Sequence, residues 1–280
     1  MDTNDAVPTS SVVPQVTLAD IEAARTRLLG TVMVTPMEQS RWLSHIAGQD
    51  VSIKCENLQR TGSFKIRGAF LRIANLSDDE RMRGVVAASA GNHAQGVALA
   101  ASLLGTTSRV YMPNGAPIPK ERATRWYGAE IEFVGTTIDE CLIEAKAYAA
   151  RTGAVLIHPF DHPDIVAGQG TCGLEIVEQR PDVKTVVVPT GGGGFLAGVA
   201  TAVKARRPDV RVIGVQAEEA AAYPASLSAG HPLPLAAMDD GRRNRRGLPG
   251  RGALRRRPAL RRRDQDRVGG VPVHGPAGVA

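Results

Sequence analysis

Lysine is rare in this chain, with Lys54, Lys65, Lys120, Lys146, Lys184 and Lys204 set against 28 arginines. Lys65 lies in Thr61-Gly62-Ser63-Phe64-Lys65-Ile66-Arg67-Gly68-Ala69, where a small polar loop runs into a helical stretch. At the mouth of a helix, beside an aromatic and near the second cation Arg67, its ammonium form is disfavoured. A neutral amine suited to Schiff-base chemistry is therefore accessible. On spacing alone, a surface lysine laying its stem along the protein is the commoner outcome.

Two more segments could do chemistry. Ser89-Ala90-Gly91-Asn92-His93 falls directly after a strand-like run and before a helical one. Free amides and the helix dipole at such a turn attract anions, and a carboxylate would fit, with Ser89, Asn92 and His93 as polar contacts. A well-capped turn without a ligand is the plain alternative, and a lone histidine is more often structural. Pro189-Thr190-Gly191-Gly192-Gly193-Gly194-Phe195-Leu196-Ala197-Gly198 places four glycines between a strand and a helix. Each glycine costs backbone entropy. Such a loop lets several amides converge on a phosphate, although a flexible turn would also satisfy the pattern. The same stretch satisfies G-x-G-x-x-A at Gly192, Gly194 and Ala197, with Glu218 closing the next strand. That keeps a nicotinamide-dependent enzyme as an alternative. No two histidines have metal-ligand spacing on one helix, and neither a nucleophile elbow nor a P-loop occurs.

The elements that must hold these segments alternate along the chain. Thr17 caps a helix with Ile21, Ala24 and Leu28 on one face and Gly30 past its end. VSIKCE (Val51 to Glu56) predicts a strand, QRTGSFK a loop and IRGAFLRIANL a helix. Strand-helix pairs follow: GVVAAS with AQGVALAASLLG, RVYMP with a helix opened by Pro119 and closed by Gly128, and IEFVG with a helix capped by Thr137 and Glu140 and ended by Gly153. VLIHPF, a helix around GLEIVEQ, TVVVPT, LAGVATAVKA and VRVIGVQ continue the rhythm. Short β-branched runs between helices predict an α/β fold with parallel sheets covered on both faces. The expected organisation is a flexible lead-in over 1–16 and a large discontinuous domain over 17–83 and 154–240. A smaller domain over 84–153 would be inserted within it.

Charge is unevenly spread. The chain of 280 residues carries a net charge of +6, but from Arg242 onward there are 12 Arg and 2 acidic residues. Everything before that carries a net charge of −4. The fold itself is therefore not basic, which argues against nucleic-acid binding by the folded part. The Arg/Gly/Pro text over 241–280 predicts disorder. Three widely spaced cysteines (Cys55, Cys141, Cys172) suggest neither disulfides nor zinc. With no signal peptide at the N-terminus and no apolar run long enough to span a bilayer, the expected setting is cytoplasmic.

Taken in order, the lysine loop, the SAGNH turn and the tetraglycine loop resemble the fold-type II pyridoxal-phosphate enzymes, of tryptophan synthase β-like architecture. The likeness is to the threonine dehydratase (threonine ammonia-lyase) and serine racemase branch. KCENLQRTGSFKIRGA, AASAGNHAQGVA, MPNGAPIPKERATRWYGAE, HPFDHPDIVAGQGTCGLEI and VVPTGGGGFLAGVA carry it, from about Thr17 to Leu235. It sets the nicotinamide alternative aside. It implies pyridoxal 5'-phosphate as cofactor, bound covalently by Lys65, which also acts as base on the substrate α-proton. It further implies Phe64 near the cofactor ring, Asn92 on the phenolic oxygen, and Gly191, Gly192, Gly193 and Gly194 on the phosphate. Ser63, Ser89, Gly91 and His93 would line the carboxylate of a small amino-acid substrate. The implied reaction converts L-threonine to 2-oxobutanoate and ammonia, and L-serine to pyruvate, in a homo-oligomer with neither membrane nor nucleic-acid partner.

Three departures stand out. Racemases of the branch have a serine where this chain has Ala90, which favours elimination over racemisation. Glu218 is followed by Glu219-Ala220-Ala221-Ala222-Tyr223, so Glu218 is at best part of an incomplete cation site. The family's later elements, including a serine loop that meets the pyridine nitrogen, have no match here. The text after Met238–Gly241 reads as a slipped frame. The expectation is a truncated domain of low or absent activity, with a nucleic-acid-binding basic arm as the alternative for the tail.

Overall fold

The computed structural model describes residues 16–229 and the two-residue strand at 271–272. The lead-in and nearly all of the Arg-rich tail, with the expectations of flexibility, disorder and a slipped frame, lie outside the described residues.

Helix α1 (Leu18–Arg27) starts at Thr17, whose hydroxyl accepts from the Asp20 N–H while the Asp20 carboxylate accepts from the Thr17 N–H. That reciprocal cap satisfies two donors that a helix start leaves orphaned. Ile21 and Ala24 are buried against later helices. An antiparallel pair follows, β1 (Met37–Gln39) and β2 (Ser52–Lys54), joined through the short helix α2 (Arg41–Ala47). The sequence pattern points to β2 but not to β1, whose three residues are too few for an alternation to be read. Two 3-10 turns (Glu56–Leu58, Arg60–Gly62) lead into α3 (Lys65–Ala74), and α4 (Asp78–Met82) follows.

The main sheet is parallel, in the order β5-β4-β3-β6, with β3 (Val85–Ala88), β4 (Ser108–Met112), β5 (Glu130–Phe133) and β6 (Val155–Leu156). Its crossovers are α5 (Asn92–Leu103), α6 (Ile118–Trp126) and α7 (Ile138–Thr152). Successive residues of β3 face opposite layers. Val85 and Ala87 pack with α3 and α5, while Val86 and Ala88 pack with Cys141 and Ala145 of α7. Both faces are therefore covered, as a parallel sheet requires.

Helix α8 (Pro163–Gln179) then runs to the second sheet, in the order β7-β8-β9, with β7 (Thr185–Pro189), α9 (Gly194–Arg206), β8 (Arg211–Val215) and α10 (Tyr223–Ala229). Here β7 alternates: Val186 and Val188 sit under α8 and α9, while Val187 faces outward at 61% exposure. Among the described residues only one face of this sheet is covered. The chain returns at β9 (Val271–Pro272), which pairs antiparallel with β8. Backbone pairing at a sheet edge needs no side-chain pattern, so nothing in the Arg-rich text announces it.

Helix α8 begins well before GLEIVEQ because its glycines, poor helix formers, are needed for packing. A Cβ on Gly168 would stand 2.7 Å from the Arg67 carbonyl and from Gly68 Cα, and one on Gly173 2.9 Å from the Val199 carbonyl. Backbone meets backbone at these crossings, which seats α8 against both α3 and α9.

Candidate active site

In an open parallel sheet, ligands bind at the carboxyl ends of the strands where the strand order reverses. The order β5-β4-β3-β6 reverses between β3 and β6. The carboxyl end of β3 is Ala88, followed by the Ser89–His93 turn. The carboxyl end of β6 is Leu156, followed by Ile157-His158-Pro159-Phe160.

This second segment joins all three motifs. The Ile157 carbonyl meets His93 Nε2 at 2.9 Å. The Pro159 carbonyl accepts from Lys65 Nζ at 2.7 Å. Phe160 closes over the glycine loop, where a Cβ on Gly192 would collide with its ring and one on Gly194 with its carbonyl. His158 stiffens the turn, its Nδ1 accepting from the Asp161 N–H at 2.8 Å and its ring packing edge-on against Phe160. A second tie joins the lysine and glycine loops. Phe64 stacks on Phe195 with ring centroids 4.0 Å apart and planes 9° from parallel.

Lys65 opens α3, and its Nζ lies 5.4 Å from the centre of the Phe64 ring. Burial lowers its pKa from 10.5 to about 8. The helix start is where the sequence expects it, but Arg67 takes no part in this shift. Residues two apart on a helix do not face each other. Arg67 turns away into a buried network, donating to both carboxylate oxygens of Glu56 (2.8 and 2.9 Å) and of Glu175 (2.6 and 3.0 Å). Burial alone would lower its pKa, but hydrogen bonds to the two glutamates carry it above its usual value. Lys54 completes the balance, 2.5 Å from Glu175.

The turn residues divide by role. Ser63 is buried, and its Oγ accepts from the Lys65 N–H at 3.4 Å. Ser89 Oγ accepts from the Gly91 N–H at 3.1 Å, and Gly91 opens on empty space. Asn92, exposed at the first position of α5, accepts from Lys120 Nζ through Oδ1 at 2.6 Å. An ammonium can only donate, so Lys120 fixes the amide orientation and leaves the Asn92 Nδ2 hydrogens directed elsewhere. The His93 ring is 4% exposed and turned onto the Ile157 carbonyl, so what the residue offers the turn is its backbone N–H.

Burial, and then the charge of Lys65, lowers the His93 pKa from 6.5 to about 3. Between those values the unfolded chain binds a proton that the folded chain refuses. The resulting stability is fully present above pH 6.5 and is lost as pH falls towards 3. The loss expected from this group is on the order of 3–5 kcal/mol. Melting curves from pH 7 to 4, with the His93 ring followed by NMR, check it. A His93 resonance titrating near 6.5 would contradict the burial.

Among the described residues, no acceptor meets the backbone N–H groups of residues 191–196. Gly193 has φ +95°, a conformation glycine adopts without strain. A Cβ on Gly191 would meet nothing within 4 Å. The loop is thus an open cradle of unpaired amides at the N-terminus of α9, the arrangement that suits a phosphate. A partly buried amine of lowered pKa is bonded to the neighbouring Pro159 carbonyl. These residues fit pyridoxal phosphate. They leave the dinucleotide alternative without support, since Glu218 lies in a short 3-10 turn (Glu218–Ala220). No described cluster of His, Cys, Asp or Glu could hold a metal ion, and no described helix is long and apolar enough to cross a membrane.

Four features of the site escape a reading of local pattern. Pro159 and Phe160 look like a strand end, and Lys120 like an ordinary helix residue. Thr61 takes a left-handed backbone (φ 66°), and its buried hydroxyl has no partner among the described residues. For a β-branched residue that is an outlier of the kind that gathers at functional sites. Tyr223, which lies over the glycine loop, carries no motif.

Comparison with known proteins gives concordant matches. The family model described as "Pyridoxal-phosphate dependent enzyme" matches residues 28–263. The L-threonine ammonia-lyase of Thermotoga maritima is 51% identical over 215 residues, covering 77% of this chain and 54% of that protein. The catabolic L-threonine dehydratase TdcB of Escherichia coli K12 is 46% identical over 215 residues, covering 77% of this chain and 65% of that protein. The chain therefore spans between about half and two thirds of the length of these relatives. The structure of maize serine racemase superposes with a TM-score of 0.77 at 36% identity, over 81% of this chain and 69% of that one.

Proposed function

The chain belongs to the pyridoxal-phosphate dependent enzyme family, and from that premise we propose that it dehydrates and deaminates L-threonine to 2-oxobutanoate and ammonia. L-serine, giving pyruvate, is the second substrate. The observation that carries this reading is the amine of Lys65, its pKa lowered to about 8 and bonded to the carbonyl of Pro159, whose neighbour Phe160 packs on the cradle of amides at residues 191–196. The threonine ammonia-lyase and dehydratase relatives supply the substrate class.

In this reading Lys65 would hold the cofactor covalently, residues 191–196 would hold its phosphate, and the Asn92 amide, with its oxygen taken by Lys120, would offer Nδ2 to its phenolic oxygen. When bound, pyridoxal phosphate supplies an electron sink that acidifies the C–H bond at the substrate α-carbon. The protein does the rest by position. The Ser89–His93 turn, with the N–H groups at the start of α5 and the Ser63 and Ser89 hydroxyls, receives the substrate carboxylate. Displaced from the cofactor by the substrate amine, the neutral Lys65 Nζ would take the α-proton, and the β-hydroxyl would leave with a proton as water. Phe160 and the Phe64–Phe195 stack exclude water from that side. Ala90 offers no proton donor, which disfavours a racemase reading. Residues 84–153 would act as the substrate-side domain and 17–83 with 154–240 as the cofactor-side domain, in a cytoplasmic homo-oligomer.

The test is 2-oxo acid release from threonine and from serine by the full chain loaded with pyridoxal phosphate. The expected result is slow, time-dependent release from both. A chain that binds the cofactor at Lys65 yet releases no 2-oxo acid from either sinks the reaction.

A further inference from the structure

We propose that the Tyr223 hydroxyl is an additional hydrogen-bond donor to the phosphate group held at the glycine loop. This rests on the reading of residues 191–196 as the phosphate site. Tyr223 is the first residue of α10, and its backbone N–H donates to Gln216 Oε1 at 3.0 Å. Gln216 Nε2 in turn donates to the Ala220 carbonyl at 3.3 Å. The stretch from the end of β8 to α10 is thereby folded back so that the phenol lies over Gly193. Its oxygen stands where a Cβ on Gly193 would fall, so the left-handed glycine and the phenol make room for each other.

Three further observations point the hydroxyl at a ligand. It has no partner among the described residues, whereas the neighbouring Thr190 hydroxyl already donates to the Val188 carbonyl at 3.1 Å. Phe160 closes the Gly192 and Gly194 side of the cradle, and Gly191 leaves it open, so an anion seated on these amides lies beside Gly193. Burial, and then the charge of Asp161, raises the Tyr223 pKa and keeps the phenol protonated and able to donate. With the Asp161 carboxylate felt nearby, a neutral donor adds a contact to the phosphate without adding charge. The residue is a half-buried tyrosine with no packing reason for its oxygen, since phenylalanine would fill the same volume.

The test is Tyr223→Phe in the full chain, with affinities for pyridoxal 5'-phosphate and for pyridoxal measured by absorbance titration. Both ligands react with the same lysine, and only one carries the phosphate. Losing a hydrogen bond to a charged group should weaken pyridoxal phosphate by roughly tenfold, with pyridoxal unchanged. Equal weakening of both aldehydes marks a packing role and overturns the proposal. Unchanged or tighter binding of the phosphorylated form also overturns it. A wild-type chain that does not discriminate between the two aldehydes means instead that the glycine loop is not the phosphate site, an outcome that fails the underlying reading and is read before the variant is made.

Discussion

Lys65→Ala is expected to remain folded, to yield no borohydride-trapped pyridoxal-phosphate adduct, and to lose the proposed deamination by roughly 10³-fold or more. The Nζ is both the attachment point and the base in the proposed site, and no second described lysine donates to the Pro159 carbonyl. Lys120 is committed to Asn92, Lys54 to Glu175, and Lys204 donates to the Pro208 carbonyl. The fold should not suffer. Burial lowers the Lys65 pKa to about 8, so below pH 8 the folded chain holds a charge it disfavours relative to the unfolded chain. That penalty is fully present below about 8 and is gone above the unfolded value of 10.5. Removing the amine should therefore leave stability at pH 7 unchanged or higher, as when a strained active-site group is deleted. Mass spectrometry of the reduced protein, 2-oxo acid release and a melting curve check the three parts. An adduct that survives in the variant, on Lys184 or Lys204, would show that the wrong lysine has been chosen.

Arg67→Met is the substitution expected to damage the fold most, by about 3–5 kcal/mol. The guanidinium is fully buried and stands between Glu56 and Glu175. With Lys54 the group balances two positive charges against two negative ones, and Thr35 and Thr171 satisfy further oxygens and hydrogens. Methionine fills much of the volume but leaves an uncompensated carboxylate inside, and removing one partner of a buried pair is far costlier than replacing all of it. Lysine should rescue poorly because it cannot serve two carboxylates with a planar fork. Thermal melts should show a fall of roughly 10 °C for a domain of this size. Arg67→Met with Glu56→Gln should recover part of it, since the double variant removes the stranded charge. Because α3 carries both Arg67 and Lys65, this network holds the helix start in place. A melt unchanged in the single variant would show that the network contributes nothing to anchoring it.

Much of the site is legible as local text. The strand-helix alternation around Val85–Ala88 and Thr185–Pro189, the caps at Thr17 and Thr137, and the three loops before α3, α5 and α9 depend on contacts within four residues. Hydrophobic period and capping chemistry report such contacts directly. The elements that stay hidden are those set by distant neighbours. The glycines of α8 look like a loop until α3 and α9 are seen to approach their backbone. β1 is legible only as the partner of β2. Arg67 appears to stand beside Lys65 until the helix turn carries it to the other face, and His93 looks like a ligand until its ring is found on the Ile157 carbonyl.

By itself the sequence determined the chemistry available: a lysine at a helix mouth, two glycine-bearing turns that open helices, and an α/β frame to hold them. Only the tertiary structure decided which of these groups meet. The Lys65–Pro159 and His93–Ile157 bonds span 94 and 64 residues, and no local period encodes a contact at that separation. They arise because the strand order reverses between β3 and β6. That reversal brings the ends of two strands to one place and lets four residues, Ile157 to Phe160, tie the lysine, the turn and the glycine loop into a single site.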